Sequence, residues 1–173
     1  SDVVLLSGGT SKGQGDLCYR VVAELSDPGI VAHGVALKPG KPICLAASGG
    51  KPVVILPGFP TSAIFTFHEF VAPVVAVLGG RRIEQGELLP ATMAVKVNSE
   101  IGRTEYLLVG LVHAERGLVA YPMGKGSGSV TTFSRADGFV TIDRHTEILS
   151  AGQAVEVRPI GRGVAPADLV VIG

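Results

Sequence analysis

"SGGTSKGQGD", Ser7 to Asp16, carries four glycines, one lysine and a terminal carboxylate in ten residues. It follows "VVLL" (Val3–Leu6), a continuous apolar run of buried-strand type, and precedes "LCYRVVAEL" (Leu17–Leu25), where Leu17, Val21, Val22 and Leu25 fall at helical spacing. Strand, glycine-rich turn and helix in that order mark one unit of an α/β domain. Glycine after a strand lets backbone N–H groups approach a ligand closely, and the following helix offers its positive dipole end. In open α/β sheets ligands sit at the carboxyl ends of the strands, where this loop falls. An oxyanion cradle and a purely structural turn both fit the loop taken alone. Asp16 reads either as a first-turn acid that stabilises the helix by about 0.5–2 kcal/mol, or as a metal ligand near bound phosphates.

The known nucleotide motifs do not fit. A Walker A loop needs Gly-Lys-Ser/Thr at its end, but Gly13 is followed by Gln14. A dinucleotide fingerprint started at Gly13 and Gly15 reaches Cys18 where it needs glycine.

Working outward, the first 80 residues continue the alternation. Asp27-Pro28-Gly29 stops the first helix, and Ile30–Leu37 reads as a strand. "KPGKP" (Lys38–Pro42) forbids regular structure and holds two lysines on a proline-stiffened loop. Ile43–Ala47 and Pro52–Leu56 flank "SGGK" (Ser48–Lys51) as a hairpin. "LPGFPTSA" (Leu56–Ala63) leads into a long apolar helix towards Leu78, with Thr61 as its cap and Pro73 kinking or dividing it. The expected fold class is therefore α/β and three-layered. Three loops after strands of one sheet, rich in glycine or proline, jointly suggest a site for a small polyanion.

Beyond a polar linker, 81–90, the pattern changes to short strands: "ATMAVKVN" (Ala91–Asn98), "YLLVGLVHA" and "GLVAYPM" around "ERG", "GFVTID" and "AVEVRPI". These predict a small all-β, barrel-like domain over 91–160. Residues 161–173, ending in "PADLVVIG", read as a linker or the start of a further α/β unit.

Composition narrows the classes. Fifteen acids balance fifteen bases, so no nucleic-acid tract or acidic tail is expected. The apolar tract Pro52–Phe67 is cut by Pro57, Gly58 and Pro60, which argues against a membrane span; a soluble, cytoplasmic protein is expected. Cys18 and Cys44 stand apart in apolar surroundings and read as structural thiols. His33, His68, His113 and His145 show no metal spacing, and no Ser-His-Asp arrangement appears. The chain opens without Met, directly on a strand, which suggests a piece of something longer.

In order and approximate spacing, "SGGTSKGQGD", "VALKPGKP" and "LPGFPTSA" resemble three signature loops of the molybdopterin molybdotransferases, the MoeA and gephyrin E-domain family. "GRTEYL" (Gly102–Leu107), "GKGSGSVTTFSRADGFV" (Gly124–Val140) and "AGQAVEV" (Ala151–Val157) resemble that family's C-terminal β domain. The resemblance implies a MogA-like molybdopterin-binding α/β domain, incomplete at its N-terminus, over 1–80. It implies insertion of molybdate into adenylylated molybdopterin, with magnesium assisting and AMP released. Asp16 would be the essential acid and magnesium ligand, with Lys38 and Lys41 as catalytic lysines. Ser7, Gly8, Gly9, Thr10, Ser11, Gly13, Pro39, Gly40, Pro57, Gly58, Pro60, Thr61 and Ser62 would bind substrate. Arg103 and Ser127 would reach it across a homodimer cleft. A MogA-like adenylyltransferase and molybdoenzyme acceptors are the protein partners implied.

The chain departs from the family at Phe59, where relatives carry Asn, and at Gly34, where many carry a basic residue. It also lacks the family's preceding domains, so turnover by this chain alone is not expected. Two other readings stand beside this one: a MogA-like adenylyltransferase, which would lack the β domain, and a non-catalytic molybdopterin-binding or scaffold module. Convergence of Asp16, Lys38 and Lys41 in one cleft would separate them.

Overall fold

The computed structural model describes residues 1–10, 17–82, 86–124, 130–161 and 166–168. The chain divides into two compact units, Ser1–Glu84 and Gln85–Gly173.

The first unit is built on a four-stranded sheet in the order β1-β5-β4-β2. Its strands are β1 (Val4–Ser7), β2 (Pro28–His33), β4 (Cys44–Ser48) and β5 (Lys51–Leu56); a two-residue strand, β3 (Leu37–Lys38), lies in the connection from β2 to β4. Only β1 and β5 run parallel, and β4 is antiparallel to both neighbours, so the sheet is mixed rather than purely parallel. The "SGGK" hairpin is as expected: Gly49 and Gly50 take φ of 55° and 74°, the left-handed pair that a two-residue turn between twisted strands demands. The expected strand Ile30–Leu37 is instead two pieces. Gly34 at φ 91° breaks it, and its N–H turns to bond the Ile43 carbonyl at 2.9 Å.

Side-chain alternation makes the three layers. Val53, Ile55, Cys44 and Ala46 pack with Val22, Cys18, Tyr19 and Leu25 of and beside α1 (Cys18–Ala23). Val54, Leu45 and Leu56 turn to the other face, against Phe67, Phe70 and Val71. The first helix thus buries the Cys18–Val22–Leu25 stripe, not the Leu17–Val21 one; Leu17 and Val21 are both 61 % exposed. Burial pushes the Cys44 thiol pKa up, because the thiolate would be desolvated there.

On the second face lie α2 (Pro60–Thr66), a wide π turn (Phe67–Val71) and α3 (Ala72–Leu78). Pro73 divides the helix as expected. The Ala72 N–H reaches back five residues to Phe67, and Pro73 falls in the first turn of α3, where its missing donor costs nothing. The cap is a correction: Phe59, not Thr61, holds the N-cap position, because Pro60 with its fixed φ takes the first helical one. By length and composition Pro60–Leu78 could cross a membrane; 28 % of its apolar window is buried in the structure, with Phe65, Thr66 and Val71 among the buried residues.

The second unit is a five-stranded barrel. β10 (Gly138–Ile142), β12 (Ala154–Pro159), β6 (Leu89–Met93), β9 (Gly117–Pro122) and β8 (Thr104–Ala114) follow in that order, and a β10–β8 pairing closes the ring. β7 (Val97–Asn98) pairs with β11 (Ile148–Leu149) beside it. Alternate residues Leu107, Val109, Leu111, Val140, Ile142 and Val157 fill the interior. α4 (Val130–Arg135) precedes β10, and past β12 Ala167 bridges Val112.

Candidate functional site

The strand register decides where the loops meet. Ser7 ends β1 opposite Leu56, the last residue of β5. Ile55 is opposite Cys44, which begins β4, and Cys44 is opposite His33, which ends β2. The described start of the glycine loop after β1 (Gly8–Thr10), the "PGFP" loop after β5 and the connection from β2 to β4 that carries "KPGKP" therefore share one edge of one sheet. One detail differs from expectation: Lys38 belongs to β3 and is half-buried, while Lys41 is exposed on the loop itself.

The contacts tie the three together. The Gly8 N–H donates to the Leu56 carbonyl at 2.9 Å, and a Cβ on Gly58 would stand 3.7 Å from the Gly8 Cα. Gly8 and Gly9 sit at φ 79° and 71°, a left-handed pair open to glycine at no steric cost. In the lysine loop the Val35 N–H donates to the Lys41 carbonyl and the Ile43 N–H to the Gly40 carbonyl, at 2.9 and 3.2 Å. Gly40, at φ 122°, presses on the long helix: a Cβ there would lie 2.5 Å from Thr66 Cγ2. The Lys38–Pro39 peptide bond is cis.

At the third loop Pro57 is buried and Gly58, Phe59 and Pro60 are exposed. The Ala63 N–H makes the first helical bond, to Phe59 O at 2.9 Å. By helix geometry the N–H groups of Thr61 and Ser62 have no intrahelical acceptor. Phe59 stands at the N-cap with extended dihedrals and no side-chain cap bond, 62 % exposed. An Asn in its place could accept from that first turn; Phe leaves the donors open. Thr61 is 2 % exposed, and its Oγ1 has no hydrogen-bond partner among the described residues. A buried hydroxyl left so is a cost of about 1–3 kcal/mol, the kind of debt tolerated at a ligand site.

Ser7, Gly8, Gly9, Thr10, Lys38, Pro39, Gly40, Lys41, Pro57, Gly58, Pro60, Thr61 and Ser62 thus sit on or beside these three loops. Ser11, Gly13, Asp16 and Ser127 lie outside the described residues. Arg103 is in the second unit, in a surface pair with Glu100 at 3.3 Å. Among the described residues no three His, Cys, Asp or Glu side chains group so as to hold a metal ion. Asp16, the expected magnesium ligand, lies outside that set.

The sequence reading missed His33, whose Nε2 lies 3.0 Å from the Thr10 carbonyl. It also missed a cleft of about 620 Å³ in the second unit, where β10 and β12 part beyond Val140 and Val157 and which Thr141, Asp143 and Glu156 help to line. Both depend on pairings distant in sequence, for which no local signal exists.

Comparison with known proteins accounts for both units. Residues 1–77 match the family described as a probable molybdopterin binding domain, and residues 90–160 match the MoeA C-terminal region (domain IV). A molybdopterin molybdenumtransferase of Nostoc sp. is 30 % identical over 166 residues, covering 91 % of this chain and 37 % of its own length. One from Haemophilus influenzae is 26 % identical over 162 residues, covering 92 % and 40 %. The crystal structure of a molybdopterin biosynthesis MoeA protein from Pyrococcus horikoshii superposes with a TM-score of 0.70 at 40 % identity, over 91 % of this chain and 37 % of that one. The chain spans about two fifths of the length of these relatives. With a molybdopterin-binding domain followed by a MoeA C-terminal region, matched in order and in fold, the chain belongs to the molybdopterin molybdotransferase (MoeA) family.

Proposed function

We propose that this chain serves molybdenum cofactor biosynthesis by holding adenylylated molybdopterin while molybdate is inserted and AMP leaves. One observation carries the reading: strand register brings three anion-suited loops to a single sheet edge. A pyrophosphate linkage needs compensating charge and fixed donors, and its cleavage is mainly positioning plus charge stabilisation. Gly8 and Gly9 allow close backbone approach, the first turn of α2 supplies free N–H groups, and Lys38 and Lys41 supply positive charge. Thr61 Oγ1 gains in the complex the partner that it lacks without ligand. The acid expected at Asp16, and Arg103 and Ser127 from a second copy, complete the proposed site.

The test is calorimetric titration of adenylylated molybdopterin into the chain, beside Lys41→Ala and Lys38→Ala/Lys41→Ala variants. Affinity lowered tenfold or more in the double variant, about 1.4 kcal/mol, with a smaller loss in Lys41→Ala, is the expected result. Equal affinity in all three would remove the lysine loop from the site. No binding by the unaltered chain would overturn the reading.

A further inference from the structure

His33 closes β2 at the far side of the sheet from β1, in the order β1-β5-β4-β2. Three strand spacings of about 4.8 Å separate them, roughly 14 Å. Its Nε2 nevertheless stands 3.0 Å from the carbonyl oxygen of Thr10, so the chain leaving β1 and the His33 side chain together span that separation. A carbonyl only accepts, hence Nε2 carries a proton and donates. The same imidazole stacks on Tyr19 in α1, with ring centroids 5.4 Å apart and planes at 33°. Thr10 and Tyr19 lie on either side of the glycine-rich stretch. One side chain therefore ties both of its described flanks to the opposite edge strand.

Such a tie matters because glycine loses more conformational freedom on ordering than any other residue. A loop that must present its N–H groups to an anion binds better when that freedom is already lost. The fit is close elsewhere too: a Cβ on Gly9 would lie 2.8 Å from Cys18 Sγ, so loop and helix already touch. We propose that His33 is a positioning residue for the polyanion site, acting through the Thr10 carbonyl and the Tyr19 ring and not by touching the ligand. This rests on the polyanion reading above.

The test compares the unaltered chain with His33→Ala and His33→Gln. The Gln amide nitrogen reaches about where Nε2 sits and can donate, but has no ring. Two quantities are read: affinity for adenylylated molybdopterin, and amide hydrogen exchange of Gly8–Thr10 without ligand. His33→Ala is expected to weaken binding about three- to tenfold and to speed exchange at Gly8–Thr10, and His33→Gln to recover most of both. If the unaltered chain binds and His33→Ala binds as well as it does, the positioning role falls and the polyanion reading stands. The role falls likewise if exchange is unchanged in His33→Ala, or if His33→Gln is no better than Ala. If the unaltered chain does not bind, the polyanion reading fails and takes this role with it.

Discussion

The barrel and the α/β unit solve the same problem of burying apolar strands in opposite ways. In the barrel every strand is paired on both sides, and one cluster fills the interior. Among the described residues its buried Ser99 and Glu105 answer each other, Ser99 Oγ donating to Glu105 at 2.7 Å, and half-buried Asp137 accepts from the Leu111 N–H at 2.7 Å. The α/β unit splits its core over two faces of an open sheet. It leaves α3, entirely apolar, without a buried residue, with Val75, Val77 and Leu78 exposed. It also holds, among the described residues, the buried hydroxyl without a partner, Thr61. The contrast teaches where to look for chemistry. Local rules are kept in the barrel and broken in the α/β unit, and one of the breaks, Thr61, lies at the candidate site.

The largest test attacks the closed core. Leu111 is fully buried among the barrel residues, and Leu111→Ala is expected to destabilise the barrel by about 2–5 kcal/mol, transfer and cavity costs together. Amide exchange should show lost protection in β8 and β10 while β4 and β5 keep theirs. Equal loss in both units would mean that the two cores are one cooperative structure, and the comparison would break.

A smaller effect is expected where the site's backbone meets its helix. Gly40→Ala must hold φ near 122° and push a methyl to within 2.5 Å of Thr66 Cγ2, a cost of about 1–3 kcal/mol. Thr66→Ser removes Cγ2 but can keep the hydroxyl bonds to Ser62 O and Ala63 O at 2.8 and 3.2 Å. In denaturant titration the double variant should recover the steric part of the loss and not the backbone part. Complete recovery would show that the left-handed dihedral costs nothing there. No recovery would show that the helix does not crowd the loop.

How far these features could be read from the sequence follows from their range. The "SGGK" hairpin was legible, because a two-residue turn with both φ positive names its own glycines. The break at Pro73 was legible for a similar reason, as proline lacks a donor. The buried stripe of α1 was not. Leu17–Val21–Leu25 and Cys18–Val22–Leu25 both satisfy helical spacing, and only the sheet beneath chooses between them. Barrel closure through β10–β8, and the parallel pairing of β6 with β9, join strands far apart in the chain. At the site, glycine, lysine and proline mark the loops by composition. The ties that fix them, His33 to Thr10 and Gly40 to Thr66, cross between elements and leave no local trace.

The smallest effect separates site from scaffold most sharply. Thr61→Val keeps shape and β-branching and replaces the unpartnered Oγ1 with a methyl. A hydroxyl that belonged to the scaffold would have a partner, and its loss would destabilise. One that waits for ligand contributes only desolvation, so the variant should change stability by no more than about 1 kcal/mol, in the stabilising direction. Affinity for adenylylated molybdopterin should fall in the same protein. Thermal denaturation and calorimetry on one sample read both. Stability gained with affinity lost would sharpen the contrast to a single atom. Stability lost would give Thr61 a structural duty and move it to the barrel's side of the comparison.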